Sequence, residues 1–360
     1  MKDTTVFIRV DASARTGGGH LSRCLALADA FRETACIVEI LCGDIDESYA
    51  RLVAQRGYHV RRLDAGRTAP ADGTDDNYWL DADSEAAIEI LSASVARKKV
   101  LVVDHYRIDC RWEAAVAPHV DCVFVIDDLA DRCHECNILL DQTFSGGAAR
   151  YKGLLPEHCR CLLGPSYALL RPDFARLRRT TERRFAREDD YAVHVFFGSE
   201  DARANTHRFS NALMAVDRVR EVRAAVSAQF RHGDLLQDLE TRHAERFSWC
   251  VPGDGMAAHM AGCDVAVGAP GQATWERACL GLPAAYVAIS DTQVPLLQHL
   301  NAVGFCAYLG VDRQIEDGEF RSSVGRFLDD ASQLVRLRGT SMEAVDGLGA
   351  ARAVEAALSG

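Results

Sequence analysis

The sequence predicts an α/β protein built from two Rossmann-like domains. Runs rich in β-branched residues alternate with helical patterns, which is typical of βαβ units and a largely parallel sheet. The alternation stops at a charged stretch, ARLRRTTERRFAREDD at 175–190, and then begins again. The chain has 360 residues, of which 48% are apolar. This length and composition allow two domains of ordinary size.

In the first half, the strand candidates are VFIRV, IVEILCG, KKVLVVDHY, DCVFVIDD and NILLDQ. Helical patterns cover about 20–31, 46–56 and 84–97, and a polar stretch at 68–79 precedes the third of these. Because strands and helices alternate in this way, the first half predicts one parallel sheet with helices on its faces.

The second half repeats the pattern with the strand candidates YAVHVFFGS, VRAAVSA, DVAVGAPG and PAAYVAI. Helices are predicted at about 205–216, 273–280 and 294–303, and a broken helical pattern covers 320–358. Ligands of such sheets bind beyond the carboxyl ends of the strands, and two facing domains would create a cleft there. The predicted divisions are an N-terminal domain at 1–175, a C-terminal domain at 190–330 and a helical closure at 331–360.

Charge and cysteine content narrow the class of partner and the compartment. The formal net charge of −11 argues against nucleic acid or an anionic membrane as partner. The N-terminus has no signal-peptide pattern and no apolar stretch reaches membrane-spanning length, so we expect a cytoplasmic protein. Its thirteen cysteines are an odd number, which predicts reduced thiols. Four of them lie in apolar runs and are expected to be buried: Cys24, Cys36, Cys42 and Cys279.

A glycine loop separates the first strand from the first helix. Gly17, Gly18 and Gly19 are followed directly by His20. Glycines let backbone N–H groups approach a ligand closely, and the helix N-terminus adds a partial positive charge. Because this charge disfavours imidazolium, we predict a neutral His20 that can accept a proton.

Two other interpretations of this loop stay open. His20 could simply cap the helix without a chemical role. The loop could also bind a dinucleotide, with Glu39 on the ribose, although the G-x-G-x-x-G pattern fails at Ser22.

A second glycine turn occurs in GAPGQATWERACLGLP at 268–283. Gly271 precedes a predicted helix, Thr274 lies in its first turn, and Glu276 lies just inside it. The carboxylate of Glu276 could reach ribose hydroxyls, or it could only complement the helix dipole. The stretch FFGSEDARAN at 196–205 offers a further strand-to-loop turn, so the second half contains two candidate phosphate sites.

Polar residues follow the strands of the first half, where α/β proteins place ligand contacts. Any one of these acids could instead cap the next element, and Asp11 could orient His20 or stabilise the loop. The strand-end residues are Asp11, Asp104, His105, Tyr106, Asp127, Asp128 and Arg132.

The spacing of the cysteines does not predict a metal site. CHEC at 133–136 is a C-x-x-C pair, and Cys159 and Cys161 follow it. Structural zinc sites usually have two such pairs, and C-x-C is too tight for the second. Buried or solvated thiols are therefore favoured over zinc ligands. The sequence also lacks the G-x-S-x-G, H-E-x-x-H and P-loop motifs.

Taken in order, several stretches resemble the UDP-2,4-diacetamido-2,4,6-trideoxy-β-L-altropyranose hydrolase family of pseudaminic acid biosynthesis. The resemblance covers nearly the whole chain. The similar stretches are RVDASARTGGGHLSRCLALA, VVDHYRID, IDDLADRCHECNILLDQ, LLGPSYALLRPDF, GAPGQATWERACLGLP and VDGLGAARAV.

The resemblance implies a GT-B-like fold, in which two Rossmann-like domains face each other across a cleft. It implies inverting hydrolysis of a UDP-sugar with His20 as the general base, and it implies no metal or other cofactor. The residues expected to bind substrate are Asp11, Gly17, Gly18, Gly19, Arg23, Asp104 and Tyr106 in the first domain and Gly198, Ser199, Gly271, Gln272, Ala273, Thr274, Glu276 and Gln293 in the second.

This chain departs from the family pattern in its second half. The usual double-glycine, serine, aspartate loop reads Phe197-Gly198-Ser199-Glu200, and Thr292 replaces an asparagine. The small-residue run before Trp-Glu contains Pro270, Gln272 and Ala273. These changes affect contacts to phosphate and sugar more than the base. A GT-B glycosyltransferase and a non-catalytic nucleotide-sugar-binding protein therefore stay open as alternative functions.

Overall fold

The computed structural model describes residues 3–13, 15–63, 76–144, 147–183, 185 and 190–359. The structural statements below concern these residues. Parts of the predicted polar stretch at 68–79 and of the charged connector at 175–190 lie outside them. The chain divides into two units, Met1–Arg171 with Leu348–Gly360 and Pro172–Gly347.

The first unit contains a parallel sheet with the strand order β3-β2-β1-β4-β5-β6-β7. Its described strands are β1 (Thr4–Val10), β2 (Ile37–Cys42), β3 (His59–Arg62), β4 (Lys98–Asp104), β5 (Cys122–Ile126), β6 (Ile138–Asp141) and β7 (Arg160–Leu163). Its helices up to the middle of the chain are α1 (Gly19–Glu33), α2 (Glu47–Gln55), α3 (Asp76–Ala93) and α4 (Cys110–Val116).

Both faces of this sheet are buried, which explains why β1 is an almost continuous apolar run. Successive side chains of a strand point to opposite faces. Val6 and Ile8 pack in one core cluster with residues of α1, whereas Phe7 packs on the other face with Trp79 and Trp112.

The second unit contains a parallel sheet with the strand order β10-β9-β8-β11-β12-β13. Its described strands are β8 (Tyr191–Phe196), β9 (Val219–Ala225), β10 (Phe247–Cys250), β11 (Val265–Gly268), β12 (Ala284–Ala288) and β13 (Ala307–Val311). Its described helices are α5 (Pro172–Arg178), α6 (Asn205–Leu213), α7 (Gly233–Arg242), α8 (Met256–Ala261), α9 (Gln272–Cys279), α10 (Val294–Ala302), α11 (Asp317–Asp329) and α12 (Ala331–Ala344).

Each sheet has one point where the strand order reverses. In the first sheet β1 lies between β2 and β4, and in the second sheet β8 lies between β9 and β11. Ligands of open parallel sheets bind beyond the carboxyl ends of the strands at such points. The loop that carries His20 follows β1, and the glycine turn before Glu276 follows β11, so each predicted loop lies at a reversal.

The last helix divides the segment expected to be one helical closure at 331–360. Residues 331–347 belong to the second unit, but α13 (Gly349–Leu358) belongs to the first. Ala353 and Val354 enter the same core cluster as the apolar residues of α1. The apolar face of α13 is thus buried by the first unit, although it comes last in sequence.

The cysteines separate into two groups. Cys24, Cys36, Cys42 and Cys279 are buried, as predicted. The expectation of reduced thiols throughout is wrong for one pair, because a disulfide joins Cys110 to the first cysteine of the CHEC stretch, Cys133. Their Cα atoms are 5.4 Å apart, within the usual range for a disulfide.

The predicted class of two α/β, Rossmann-like domains is confirmed by these two parallel sheets. In the described part of the chain, no helix is both long enough and apolar enough to cross a membrane.

Candidate functional site

The glycine loop of the first unit leads into α1 with specific backbone requirements. Gly17 has a φ of +72°, a conformation that favours glycine. A Cβ atom on Gly18 would lie 2.8 Å from the ring of Tyr49, so a larger residue there would displace that ring. The helix begins at Gly19, and the N-cap residue Gly18 has no side chain to cap it. The first N–H groups of α1 thus have no cap from that residue.

His20 is held by a carboxylate from the neighbouring strand. Its Nδ1 lies 2.6 Å from Oδ1 of Asp104, the last residue of β4. Burial opposes ionisation of Asp104, but Arg23 and His20 outweigh it and hold the pKa of Asp104 well below its usual range. An ionised carboxylate can only accept a hydrogen bond, so the 2.6 Å contact places the proton of a neutral His20 on Nδ1. This leaves Nε2 with a lone pair that can accept a proton. Nη2 of Arg23 also lies 3.1 Å from Nδ1 of His20, but as a donor it cannot hydrogen-bond to a protonated Nδ1 and donates to Asp104 instead.

Arg23 lies three residues after His20, on the same face of α1. Its Nε and Nη2 each lie 2.7 Å from a carboxylate oxygen of Asp104, and its Nη1 lies 2.8 Å from Asp128. Arg23 is only 5% exposed. It was predicted to bind substrate, and in this position it supports Asp104 and Asp128 with a bidentate charged contact.

Tyr106 and Asp128 complete the surroundings of His20. The ring of Tyr106 packs edge-on against the imidazole, with the ring centroids 4.4 Å apart. Partial burial and the negative charge of Asp128 raise the pKa of Tyr106. Asp128 was noted as a strand-end acid but not predicted as a site residue. The sequence signal for Asp128 was the pair of adjacent acids after β5, but the sequence does not specify which of the two faces α1.

Asp11 does not orient His20, so that alternative is wrong. Its carboxylate forms an ion pair with Arg9 and lies 3.2 Å from Nε2 of His105. It also accepts hydrogen bonds from the N–H groups of Gly43 and Asp44, at 2.9 and 3.1 Å. The Asp11 side chain therefore secures the loop after β2. Within the described residues it makes no contact with the glycine loop.

Two other strand-end residues have structural partners. Nη1 of Arg132 lies 2.9 Å from Asp127, and its Nε donates to the carbonyl oxygen of Ile108 at 2.7 Å. Asp127 also accepts from the N–H of Ala130 at 2.8 Å. These two residues tie the loops after β4 and β5 together, as the capping interpretation of the strand-end acids predicts.

Glu39 does not lie where a ribose acid is needed. It is in the middle of β2 and pairs with Arg61 at 3.7 Å. The residues beyond the carboxyl end of β2 are instead Gly43 and Asp44. Glu39, the residue named for the ribose in the dinucleotide interpretation, therefore lies in the wrong place for that role.

In the second unit, the turn before α9 has the geometry predicted for it. Gly271 has a φ of +137° and no side chain that could cap the helix. Its N–H donates to Oγ1 of Thr274 at 3.2 Å, and its carbonyl oxygen accepts from the N–H of Thr274 at 2.9 Å. Gln272 and Ala273 are the first two residues of the helix, so their N–H groups are at its N-terminus. Glu276 lies one turn further and is 9% exposed.

The turn after β8 differs from the other two glycine turns. Gly198 has a φ of +95°, and the carbonyl oxygen of Ser199 accepts a hydrogen bond from Ser227 at 2.5 Å. The following helix, α6, is already capped, because Asp201 accepts from the N–H groups of Asn205 and Thr206 at 2.8 Å each. A carboxylate thus occupies this helix N-terminus, and only the loop itself is left for a phosphate.

Gln293 lies in a short turn after β12. Its Oε1 accepts a hydrogen bond from the N–H of Ile289 at 2.9 Å. Thr292, at the position where the family pattern has asparagine, pairs with Ser290 at 2.8 Å between the two hydroxyl oxygens. The amide oxygen of Gln293 is therefore used to hold the turn.

Comparison with solved structures identifies the fold class of the chain. MurG of Acinetobacter baumannii matches with a TM-score of 0.68 at 11% identity, over 99% of both chains. CalG4, the calicheamicin glycosyltransferase, matches with a TM-score of 0.65 at 14% identity, over 99% of this chain and 98% of that one. At such identities the likeness concerns the fold alone. The chain has a GT-B-like fold, as predicted.

Sequence comparison then gives a particular relative. Over 197 residues the chain is 27% identical to UDP-2,4-diacetamido-2,4,6-trideoxy-beta-L-altropyranose hydrolase of Campylobacter jejuni. The match covers 54% of this chain and 61% of that enzyme, so it spans about three fifths of the relative's length. The resemblance predicted from the motifs is confirmed by this match. No protein-family model matches the chain.

Proposed function

We propose that this protein hydrolyses a UDP-linked 2,4-diacetamido-2,4,6-trideoxy sugar to UDP and the free sugar, a reaction of pseudaminic acid biosynthesis. The observation that carries the proposal is the contact between His20 and Asp104, which fixes the tautomer needed by a general base. The similarity to the Campylobacter jejuni hydrolase supports the substrate class.

One base is sufficient for this reaction. Most glycosidases need two carboxylates because a sugar alkoxide is a poor leaving group. Here the leaving group is a phosphate whose last pKa is about 6, so it departs without full protonation. Water attacks the anomeric carbon, its proton passes to Nε2 of His20, and the electron pair of the broken C–O bond stays on the diphosphate. Attack on the face opposite to UDP inverts the anomeric centre.

The second unit supplies the anion site in this proposal. Backbone N–H groups at the start of α9 face the diphosphate, and the helix dipole favours its negative charge. Glu276 accepts hydrogen bonds from the ribose hydroxyls. Gly198 and Ser199 contact the diphosphate through the loop after β8.

A glycosyltransferase is the second candidate, favoured by the fold likeness to CalG4. In that case His20 takes the proton of an acceptor hydroxyl instead of water. The chemistry at the anomeric carbon is otherwise the same, so the acceptor alone distinguishes the two functions.

The test is incubation with a panel of UDP-sugars and CMP-sugars in the absence of any acceptor. We expect release of UDP from a UDP-linked diacetamido-trideoxy sugar, and phosphorus and proton NMR monitor this release. The initial anomer of the product should be inverted, and water labelled with oxygen-18 should place its label on the sugar rather than on UDP. Turnover only after an alcohol acceptor is added would support the transferase, and binding without turnover would support a binding protein.

A further inference from the structure

Arg277 brings a buried positive charge to the carboxyl edge of the second sheet. It lies in α9, one residue after Glu276, and is 0% exposed. Its Nη1 donates to the carbonyl oxygen of Ala269 at 3.2 Å, and its Nη2 donates to that of Phe196 at 3.0 Å. These carbonyls belong to the last residue of β8 and the residue after β11. The guanidinium carbon lies 5.3 Å from the ring centroid of Tyr286.

This charge is not neutralised by an acid. Among the described residues Arg277 forms no ion pair, and its Nε has no hydrogen-bond partner. Burying a cation without a carboxylate costs free energy, which carbonyl dipoles and an aromatic ring offset only in part. Burial holds the pKa of nearby His194 well below its usual range, and the positive charge of Arg277 lowers it further. This is the effect expected of a guanidinium that no acid neutralises.

The packing around the guanidinium places it beneath the glycine turn. A Cβ atom on Gly268 would lie 2.6 Å from Nη2 of Arg277 and 2.0 Å from the carbonyl oxygen of Phe196. Glycine at 268 is therefore required for Arg277 to reach the ends of both strands. The turn that follows leads within three residues to the start of α9.

Carbonyl oxygens at the carboxyl ends of parallel strands carry partial negative charge and would repel an anion. Arg277 engages two of these oxygens and adds a full positive charge behind them. The whole chain carries a net charge of −11, so its overall field does not attract an anionic ligand. A local cation in a low-dielectric position supplies that attraction instead.

We propose that Arg277 is a positioning residue for the diphosphate group of the nucleotide: a fixed positive charge beneath the glycine turn before α9 that strengthens binding of the anion without touching it. This inference rests on the proposed function, because it takes the diphosphate to bind at the start of α9.

The test compares UDP with uridine, which has the same base and ribose but no charge. Arg277→Gln and Arg277→Met remove the charge, and Arg277→Lys keeps it. By isothermal titration calorimetry we expect both neutral variants to bind UDP about tenfold more weakly, with uridine affinity nearly unchanged. Arg277→Lys should keep most of the preference for UDP. Circular dichroism establishes that each variant is folded, and the Met variant, which keeps apolar packing, serves if the Gln variant does not fold.

Arg183 provides a matched control at the opposite edge of the same sheet. It too donates to backbone carbonyls, to Cys263 at 2.9 Å, to Met260 at 3.0 Å and to Leu280, which precede β11 and β12. Arg183→Gln should leave the ratio of UDP to uridine affinity unchanged.

The outcomes separate this inference from the proposed function. If wild type prefers UDP to uridine and the neutral Arg277 variants weaken both ligands in the same proportion, Arg277 only shapes the fold and the inference is overturned. An equal loss of preference in Arg183→Gln overturns it as well. If wild type binds neither UDP nor uridine, the proposed function fails and the inference fails with it.

Discussion

The two units bury their arginines in opposite ways. In the first unit Arg9 contacts two aspartates and Arg23 contacts two aspartates, all at strand ends or on neighbouring helices. In the second unit Arg277 and Arg183 donate to backbone carbonyls instead. Paired charges cancel and fix geometry, whereas a cation bonded to carbonyls keeps its net charge. The first arrangement suits a base that must be oriented, and the second suits a site for an anion.

The buried imidazoles differ in the same sense. In the first unit, burial opposes the charging of His134, but Asp127 and Glu113 outweigh it and raise its pKa to about 9. In the second unit neither ring nitrogen of His194 has a hydrogen-bond partner among the described residues, and its pKa lies well below the usual range. His134 is thus held charged and His194 neutral, although the first unit also contains His105, whose pKa burial lowers.

The largest effect is expected at the oriented base of the first unit. His20→Ala should lower kcat about 10²–10⁴-fold, because general-base help is typically worth that factor. UDP affinity should change little, since we propose that the diphosphate binds to the second unit. Steady-state kinetics and calorimetry with UDP measure the two quantities.

The control for that change is His119→Ala. His119 precedes β5 at the opposite edge of the same sheet and contacts Ser92 at 3.1 Å. It should keep normal kcat. Near-normal turnover of His20→Ala would remove His20 from the mechanism.

A smaller loss is expected when the carboxylate that orients His20 becomes an amide. Asp104→Asn should lower kcat by about 10–100-fold with KM nearly unchanged, because the wrong imidazole tautomer becomes available. Asp29→Asn is the matched control. Like Asp104, Asp29 is a carboxylate that contacts several polar side chains of the first unit. It lies near the C-terminal end of α1, at 2.9 Å from Arg32, 2.7 Å from Arg56 and 2.6 Å from Tyr58. If both variants lose kcat equally, the effect of Asp104 is structural.

In the second unit, Glu276→Gln tests the ribose contact. Wild type should bind UDP about tenfold more tightly than 2′-deoxy-UDP, since a hydrogen bond to a charged group contributes about 1.5–3 kcal/mol at most. The variant should bind both nucleotides with nearly equal affinity. Calorimetry with the four combinations gives the coupling between Glu276 and the 2′-hydroxyl, and a coupling of zero contradicts the assignment.

The smallest effect concerns acid stability of the second unit. The pKa of His194 is lowered in the folded protein relative to roughly 6.5 in the unfolded chain. The unfolded state therefore binds more protons at low pH, and the stability from a neutral His194 is present above about pH 6.5 and lost below it. Arg277 and His259 both oppose its charging.

His194→Leu should flatten this dependence by up to about 1.4 kcal/mol per pH unit, the slope for one proton. Urea unfolding of both proteins at several pH values between about 5 and 7.5 measures the difference. His105, a buried imidazole of the first unit with a lowered pKa, adds the same slope to both proteins and cancels in the comparison. An equal slope in the two proteins contradicts the role of His194.

Much of the fold followed from local patterns. The helix predicted at 20–31 is observed at Gly19–Glu33, and that predicted at 294–303 at Val294–Ala302. The helix α4 was not predicted, because seven residues are too few to establish a helical period. The third helix begins earlier than expected, at Asp76, inside the stretch that its polar composition had placed in a loop.

The sequence by itself determined the two α/β halves, the glycine turns and the candidate base, because strand periodicity, glycine and residue type are local properties. Only the tertiary structure decided the partners. Asp104 rather than Asp11 holds His20, Asp201 caps α6, and Arg277 has no acidic partner in the part of the chain that the structure describes. The contact of Asp201 with Asn205 joins residues four positions apart, and the contact of Asp104 with His20 joins residues 84 positions apart. They depend on which strands are neighbours and where each side chain points, and no local pattern specifies either.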